Sequence, residues 1–289
     1  MILDCAGKSL DLGSPRVMGV LNVTPDSFSD GGRFLDPEAA VAHAHAMVAE
    51  GAALIDVGAE STRPGAAPVT AGEEITRLVP VIRALSSGLS VPISVDTGKP
   101  EVMRAAVAAG AGMINDVRAL RLPGALEAVA GLEVPVCLMH LQGEPRTMQE
   151  TPRYGDVVRE VCEFLAGRLA ACVSAGIAPE RVIVDPGFGF GKSTGHNLLL
   201  LRHLNTLQVL GRPILVGLSR KSVFGRVLGR AVGERLAGGV AAAALAVWQG
   251  ASLVRAHDVA ATVDAVRWAA AVREARAPIA DGAGGRTRG

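Results

Sequence analysis

Polar side chains that could do chemistry recur at the ends of short apolar runs in this sequence. In VIVDPGFGFGKS, residues 182–193, the apolar run stops at Asp185, and glycine then occupies every second position. Similar endings occur at Asn22, Asp56, Asp96, Asn115, Asp116, Arg255 and His257. One such residue could serve as a helix cap, but a buried charge without a partner costs on the order of several kcal/mol. The whole series therefore indicates a functional site.

The glycine-rich stretch does not fit either of the common phosphate-binding patterns. The P-loop needs a glycine where Pro186 stands, and the dinucleotide fingerprint needs its third glycine where Lys192 stands. The function of the stretch must therefore be sought in the acid that opens it, Asp185, and in the freedom of the backbone that follows.

The polar residues divide into two kinds of chemistry. The acceptor half consists of Asp96, Asn115 and Asp185. Two carboxylates with an amide suit a flat, guanidine-like heterocycle with several N–H donors, because paired hydrogen bonds select that geometry.

The other half supplies positive charge and hydrogen-bond donors. Its members are Arg63, Lys221, Arg255 and His257. This half suits an anion, most simply a phosphate or diphosphate. The segment GLSRKS (217–222) places Lys221 and Ser222 at the start of a helix, where free backbone N–H groups also favour an anion. A diphosphate leaving group usually brings Mg²⁺, which neutralises the developing charge.

Eight short β-rich runs alternate with longer helical ones and would position these residues. The predicted strands are 17–23, 54–59, 93–96, 112–117, 136–140, 181–185, 214–219 and 252–257. The predicted helical segments are 36–50, 71–86, 99–109, 122–130, 155–175, 195–204, 221–249 and 258–275. This pattern predicts an α/β fold, a single (β/α)8 TIM barrel, with an open doubly wound sheet as the alternative. Active sites of such barrels lie at the carboxyl ends of the strands.

The pattern also predicts what surrounds the barrel. Residues 1–13 are expected to form a β-hairpin that plugs its bottom, and 1–275 to form one domain. Residues 276–289 have the composition of a disordered tail. The loops 24–32 and 60–69 are longer than usual βα loops and are expected to act as lids over the mouth.

Composition excludes several classes of protein. The 29 basic and 28 acidic residues nearly cancel, which argues against broad binding to nucleic acid or a membrane surface. The four cysteines form no C-x-x-C pair and are expected to stay reduced. The most apolar run, residues 240–248, is too short to span a bilayer, so we expect a soluble, cytoplasmic protein. His196 and His203 are expected on a solvated helix, and His140 could line the pocket.

Seven ordered motifs resemble those of the dihydropteroate synthase family over roughly residues 16–270. They are MGVLNVTPDSFSDGG, ESTRPGA, SVDT, IND, DPGFGFGK, GLSRKS and VRAHDV. The resemblance implies a Mg²⁺-dependent transferase of folate biosynthesis that is a homodimeric barrel and a target of sulfonamides. It would join 4-aminobenzoate to 7,8-dihydropterin-6-ylmethyl diphosphate, giving dihydropteroate and diphosphate.

The same resemblance implies a role for individual residues. Asp96, Asn115, Asp185 and Lys221 match positions that bind the pterin. Thr62, Arg63, Arg255 and His257 match residues that contact the diphosphate or the pterin. Phe28, Pro64, Phe190 and Ser222 match the pocket for the second substrate, and Asn22 matches the residue linked to the metal. The catalytic set would be Asp96, Asp185, Lys221, Arg255 and His257, with GFGFGK as a flexible wall that places Phe190 against 4-aminobenzoate.

Two alternatives remain at this point. A pterin-dependent methyltransferase barrel would share the acceptor half but lack the phosphate-directed half. A catalytically silent barrel, kept for binding or assembly, would show damage to the polar ring, and every member of the ring is present.

Overall fold

Eight parallel strands surrounded by helices form the body of the protein. The computed structural model describes residues 1–23, 37–60, 69–144 and 147–275. The strands are β1 (Ile2–Cys5), β2 (Lys8–Asp11), β3 (Arg16–Asn22), β4 (Leu54–Gly58), β5 (Ile93–Asp96), β6 (Met113–Asp116), β7 (Val136–Met139), β8 (Val182–Asp185), β9 (Leu215–Gly217) and β10 (Leu253–Ala256). The α-helices are α1 (Pro37–Ala49), α2 (Ala71–Gly88), α3 (Pro100–Ala108), α4 (Ala125–Leu132), α5 (Val157–Ser174), α6 (Thr194–Arg202), α7 (Ser222–Leu228), α8 (Leu236–Trp248) and α9 (Val259–Glu274).

Strands β3 to β10 close into a barrel. The hydrogen-bonded order is β8-β7-β6-β5-β4-β3-β10-β9, with every pairing parallel. A parallel bridge between Val184 and Ile214 joins β8 to the chain entering β9 and closes the ring. The prediction of a (β/α)8 barrel is confirmed, and the open sheet is excluded.

The hairpin β1–β2 packs against one end of this barrel, as predicted. Leu3, Cys5, Leu10 and Leu12 of the hairpin form one buried cluster with Met18, Leu54, Met113, Cys137, Ile183, Leu215 and Leu253. The approach is close, since a Cβ on Gly112 would lie 2.3 Å from the carbonyl oxygen of Cys5. The apolar cluster is therefore the floor of the barrel interior.

The period of the strands places the polar residues directly above that floor. Residues two apart in a strand face the same side of a sheet. Four floor residues are each followed, two positions later, by a polar one: Leu54 by Asp56, Met113 by Asn115, Ile183 by Asp185, and Leu253 by Arg255. The barrel thus carries an apolar floor and a polar layer at the carboxyl ends of its strands.

The helical segment expected at 221–249 is two helices. Gly229 ends α7 with φ of +68°, and its N–H donates to the carbonyl of Gly225. This left-handed conformation is one that glycine adopts without strain, so it stops the helix. A 3₁₀ turn, Val232–Glu234, then leads into α8. Two further 3₁₀ segments, Pro179–Arg181 and Leu204–Leu210, precede β8 and β9.

The remaining expectations concern the cysteines, membrane-spanning helices, the tail and the two long loops. All four cysteines are free thiols, as expected. In the described ranges no helix combines the length and apolar character needed to cross a membrane. The tail 276–289, all of loop 24–32 and residues 61–68 of loop 60–69 lie outside the described residues.

Candidate active site

A buried ion-pair network occupies the centre of the polar layer. The Nε of Arg255 lies 2.6 Å from Oδ2 of Asp56, and its Nη2 lies 3.2 Å from Oδ2 of Asp96. Asn115 donates from Nδ2 to the same Asp56 oxygen at 3.0 Å. The side chains become more exposed toward the mouth, from 0% for Asp56 to 12% for Asp96 and 23% for Arg255. Residues of β4, β5, β6 and β10 are thereby joined into one unit.

The positive charge near Asp96 does not offset the effect of burial on its carboxylate. Its burial raises the pKa to about 7, and the charges of Asp56, Glu74 and Asp116 add to the effect, while Arg255 opposes it. A ligand that brings N–H donors or positive charge to this carboxylate would restore its ionised form. The pocket is therefore suited to such a ligand.

Asp185 and Lys221 form a second part of the layer. Burial raises the pKa of Asp185 to about 6, although the carboxylate accepts a hydrogen bond from the Gly187 N–H at 2.7 Å. Burial lowers the pKa of Lys221 to about 8, and the charge of Arg255 lowers it further. Lys221 Nζ lies 4.1 Å from the ring centroid of Phe190, a cation–π contact.

Phe190 is held by an apolar cluster as well as by its contact with Lys221. It packs against the buried side chains of Val117, Met139, Leu141 and Met148. Ser222 is exposed at the first residue of α7, and Asn22 is exposed where β3 ends. Both lie at the positions expected for residues that face a bound ligand.

His257 differs from the expectation that it adds positive charge. Its Nδ1 lies 3.1 Å from Oγ of Ser219. Burial lowers the pKa of the imidazole to about 4, and the neighbouring charges of Arg255 and Arg220 act in the same direction. The imidazole is therefore neutral near pH 7 and offers a hydrogen bond. Arg220 is itself paired with Asp258, with Nη2 and Oδ1 2.6 Å apart.

The glycines after Asp185 are required by close approach rather than by mobility. Gly187 has φ of +68°, and a Cβ there would lie 1.9 Å from the carbonyl oxygen of His140. Gly191 has φ of +60°, and its Cβ would lie 2.5 Å from the carbonyl oxygen of Gln142. Any other residue at these two positions would force the loop away from the end of β7.

Side chains also hold this loop in place. The Gly189 N–H donates to Oδ1 of Asn197 at 2.7 Å, and Tyr154 Oη donates to the Gly191 carbonyl at 2.8 Å. These two contacts anchor the residues on either side of Phe190 in the conformation described. The expectation of a flexible wall stays a prediction.

Lys192 also holds this loop. Its buried Nζ contacts His140 Nδ1 at 2.8 Å, the Gly187 carbonyl at 2.9 Å and the Phe190 carbonyl at 3.0 Å. These contacts tie the loop to the end of β7, and the expectation that Lys192 need not contact a phosphate stays a prediction. His140 is buried on this side of the loop with its ring edge-on to Phe164, so it supports the wall rather than lining the pocket.

Some polar residues of the sequence pattern have purely structural partners. Asp116 accepts from the backbone N–H groups of Arg118 and Leu120, both at 2.7 Å, and so ends β6 as a turn cap. His196 was expected to be solvated, but it forms a reciprocal cap with Ser193 at the start of α6. These residues do not belong to the site.

Four predicted site residues lie outside the described residues, namely Phe28, Thr62, Arg63 and Pro64. Among the side chains that the structure does describe, no group of three or more His, Cys, Asp or Glu residues could hold a metal ion.

Comparison with known proteins identifies the family. Residues 18–257 match the family described as pterin binding enzyme. The dihydropteroate synthase of Escherichia coli (strain K12) is 53% identical over 267 residues, which cover 92% of this chain and 95% of that one. This chain belongs to the dihydropteroate synthase family.

Solved structures of dihydropteroate synthases agree with the fold. The Xanthomonas albilineans enzyme with 4-aminobenzoic acid is 57% identical, with a TM-score of 0.90, and the match covers 95% of this chain and 99% of that one. The Yersinia pestis enzyme in a complex with a sulfonamide drug is 49% identical, with a TM-score of 0.91, over 95% of this chain and 100% of that one. The barrel described above is therefore the fold of these solved dihydropteroate synthases.

Proposed function

We propose that this chain joins 7,8-dihydropterin-6-ylmethyl diphosphate to 4-aminobenzoate and releases diphosphate, as a dihydropteroate synthase. The observation that carries the proposal is the polar layer itself. Asp96, Asn115, Asp185 and Arg255 lie together at the carboxyl ends of the barrel strands, beside Lys221. A methyltransferase would have no use for the phosphate-directed half, and the synthase relatives favour the same conclusion.

The pterin would occupy the acceptor half of the layer. Asp96 and Asp185 would accept from its N–H groups, and their raised pKa values would fall as the donors arrive. Asn115 would present its Oδ1 as a further acceptor, since its Nδ2 already donates to Asp56. Lys221 would donate to the acceptor edge of the ring, and the neutral imidazole of His257 would contact the diphosphate with Arg255, Thr62 and Arg63.

The described part of this layer contains no activated nucleophile, so a covalent enzyme intermediate is not part of the proposal. Cys137 is buried in β7, and burial together with nearby carboxylates raises the pKa of its thiol well above the usual range. The C–O bond to diphosphate would break first, and the resulting cation would be stabilised by Asp96 and Asp185. The second substrate, 4-aminobenzoate, would be held by Phe190 and Ser222 with Phe28 and Pro64. Its aniline nitrogen would then attack the methylene carbon of the cation and lose one proton to solvent.

Identification of the product tests the proposed reaction. The protein is incubated with the pterin diphosphate, 4-aminobenzoate and Mg²⁺, and dihydropteroate is sought by mass spectrometry. A parallel reaction supplies a methylated tetrahydrofolate and a thiol acceptor. Dihydropteroate in the first reaction supports the synthase, whereas methyl transfer in the second without dihydropteroate in the first would establish the methyltransferase.

Mg²⁺ is the metal ion that we propose for this site. Asn22 offers one exposed amide oxygen, which fits Mg²⁺ because this ion keeps several waters and takes substrate phosphate oxygens. When bound, the ion would neutralise charge on the departing diphosphate. The chain's own contribution is to hold Asn22 at the end of β3, next to Gly58 of β4.

Removal of the metal is expected to abolish turnover. EDTA should lower activity to background, and added Mg²⁺ should restore it. Asn22→Ala should raise the Mg²⁺ concentration for half-maximal activity on the order of tenfold, in line with the loss of one ligand contact. Asn205→Ala, an exposed asparagine before β9, is the control and should leave the titration unchanged. Full activity of the wild type in excess EDTA would contradict the proposal.

Sulfonamides are expected to inhibit this chain. The Yersinia pestis relative forms a sulfonamide complex, and Phe28, Pro64 and Ser222 are the residues expected around the second substrate. Sulfamethoxazole should therefore raise the apparent KM for 4-aminobenzoate without changing kcat. An inhibition curve with no effect, or one that 4-aminobenzoate cannot reverse, would count against this pocket.

The chain is also proposed to form a homodimer in the cytoplasm. Exposed apolar side chains of α6, α7 and α8 line one shared groove: Leu198, Val227, Leu228 and Leu245. A contiguous apolar surface of this kind marks an association site, and a two-fold dimer uses the same surface on both copies.

Light scattering in solution tests the dimer. The wild type should have twice the mass of one chain, and Leu245→Glu should shift it to the monomer mass. Val173→Glu, an equally exposed apolar position on α5, should leave the dimer intact. A monomeric wild type, or dissociation by both variants, would overturn the assignment of this surface.

A further inference from the structure

Asp56 is buried at the centre of the layer, yet the sequence pattern assigns it no role in substrate binding. A single oxygen, Oδ2, accepts from Arg255 Nε at 2.6 Å and from Asn115 Nδ2 at 3.0 Å. Asp56 is fully buried, while Arg255 retains 23% exposure of its side chain. Asp56 therefore acts on a ligand through the residues above it.

The first of these residues is Arg255. Its guanidinium is a planar group with five donors in a fixed arrangement. Asp56 accepts from Nε and Asp96 accepts from Nη2, and these two hydrogen bonds fix the plane and the rotation of the guanidinium. The remaining donors are then directed by Asp56 and Asp96 together, and their direction does not depend on the ligand.

The second residue is Asn115. Its Nδ2 donates to Oδ2 of Asp56, the oxygen that also accepts from Arg255. The carbonyl oxygen of the amide is thereby turned away from Asp56 as an acceptor. Without this contact, either end of the amide could face the pocket, and the pattern of donors and acceptors that recognises the heterocycle would be lost.

The strand register places Asp56 where it can do this. It lies above the floor residue Leu54 and below Gly58, which is paired with Asp96 on β5. Its other carboxylate oxygen, Oδ1, has no hydrogen-bond partner among the described residues. Ser94, directly opposite in register, also has an Oγ without a partner in that part of the chain.

We infer that Asp56 is a positioning residue of the pterin diphosphate site, which orients Arg255 toward the anion and Asn115 toward the heterocycle through one shared oxygen. The inference rests on the proposed function. The same role is not assigned to Glu74, which is also fully buried and ion-paired. The partner of Glu74 is Lys99 (Nζ–Oε2, 2.6 Å), which is not a residue of the layer.

Asp56→Asn tests the inference, because the amide keeps the volume of the side chain but loses its charge and one acceptor. We expect kcat/KM for the pterin diphosphate to fall on the order of 100-fold, as for a misplaced binding group. The Kd of the pterin diphosphate, measured by calorimetry with Mg²⁺, should rise. At saturating pterin diphosphate, KM for 4-aminobenzoate should change less than about twofold, since Asp56 positions no group of that pocket.

The pH dependence of kcat/KM distinguishes the proposed role from a loss of stability, because a loss of stability would not shift its acidic limb. The charge of Asp56 is one cause of the raised pKa of Asp96, together with burial and the charges of Glu74 and Asp116, against the opposing Arg255. With Asn at position 56, the acidic limb of kcat/KM should move to lower pH. Ser94→Ala, which removes a buried polar atom directly opposite, should leave that limb in place.

Glu74→Gln is the control for the loss of a buried carboxylate. It should lower stability without raising the Kd of the pterin diphosphate. If Asp56→Asn does not fold, Asp56→Ser repeats the same measurements. An unchanged Kd and pH limb in a folded Asp56 variant, or an equal rise in Kd for Glu74→Gln, would overturn the inference. Absence of dihydropteroate from the wild type would instead count against the proposed function.

Discussion

Replacement of Asp185 by asparagine is expected to lower kcat on the order of 100- to 1000-fold. Asp185 is buried at the end of β8, and its Oδ1 is held by the Gly187 N–H at 2.7 Å, so its orientation is set before substrate binds. A preorganised charge of this kind contributes about 3–4 kcal/mol to stabilising a charged transition state. The amide keeps the shape but removes the charge opposite the developing cation. Steady-state kinetics at saturating concentrations of both substrates measure the effect.

Asp116→Asn is the matched control for this substitution. Asp116 is a buried aspartate at the end of β6, and burial raises its pKa to about 6, as it does for Asp185. Its oxygens, however, are used by the backbone of the following turn. The control should lose stability while the folded protein keeps most of its kcat. Full kcat in Asp185→Asn, or equal losses of kcat in the two variants, would contradict the electrostatic role proposed for Asp185.

Arg255→Met is expected to cause the second large loss, both in activity and in stability. It removes the cation that pairs with both Asp56 and Asp96 among the described residues. Removing one partner of a buried pair costs about 3–5 kcal/mol, and the lower end applies here because Arg255 is partly exposed. The same change removes the cation expected at the diphosphate, so kcat/KM should fall on the order of 1000-fold. Denaturant unfolding and steady-state kinetics measure the two effects.

Arg159→Met provides the comparison for an arginine in an exposed pair. Arg159 and Glu163 form a solvent-exposed ion pair on α5 at 3.2 Å. Pairs of this kind contribute about 0.5 kcal/mol or less, so the free energy of unfolding should hardly change and activity should not change. An Arg255→Met protein as stable and active as Arg159→Met would show that the network is not required.

The barrel and its polar layer follow from the sequence because both depend on local periodicity. Buried parallel strands appear as short apolar runs, and a polar residue two positions beyond an interior apolar one must face the same interior. Asp185 after Ile183 and Arg255 after Leu253 are visible in this way. The reaction was predicted from the resemblance of seven motifs to a known family, because periodicity alone does not indicate a reaction.

Other features depend on contacts between distant parts of the chain and were not predictable. The backbone of the glycine-rich wall around Phe190 is held by Tyr154 and Asn197, which lie outside the motif. The neutral state of His257 follows from burial beside Arg255 and Arg220. The role of Asp56 depends on two partners, 59 and 199 positions away along the chain. No pattern of spacing indicates such pairings.

Diphosphate release from the pterin diphosphate in the presence of Mg²⁺ is the most direct test of the account. It is measured with and without 4-aminobenzoate, alongside dihydropteroate formation. We predict that, with 4-aminobenzoate present, one diphosphate is released for each dihydropteroate formed, and that Asp185→Asn suppresses both together. Binding of the pterin diphosphate with no release under either condition would contradict the account, because the layer would then be a binding site without this chemistry.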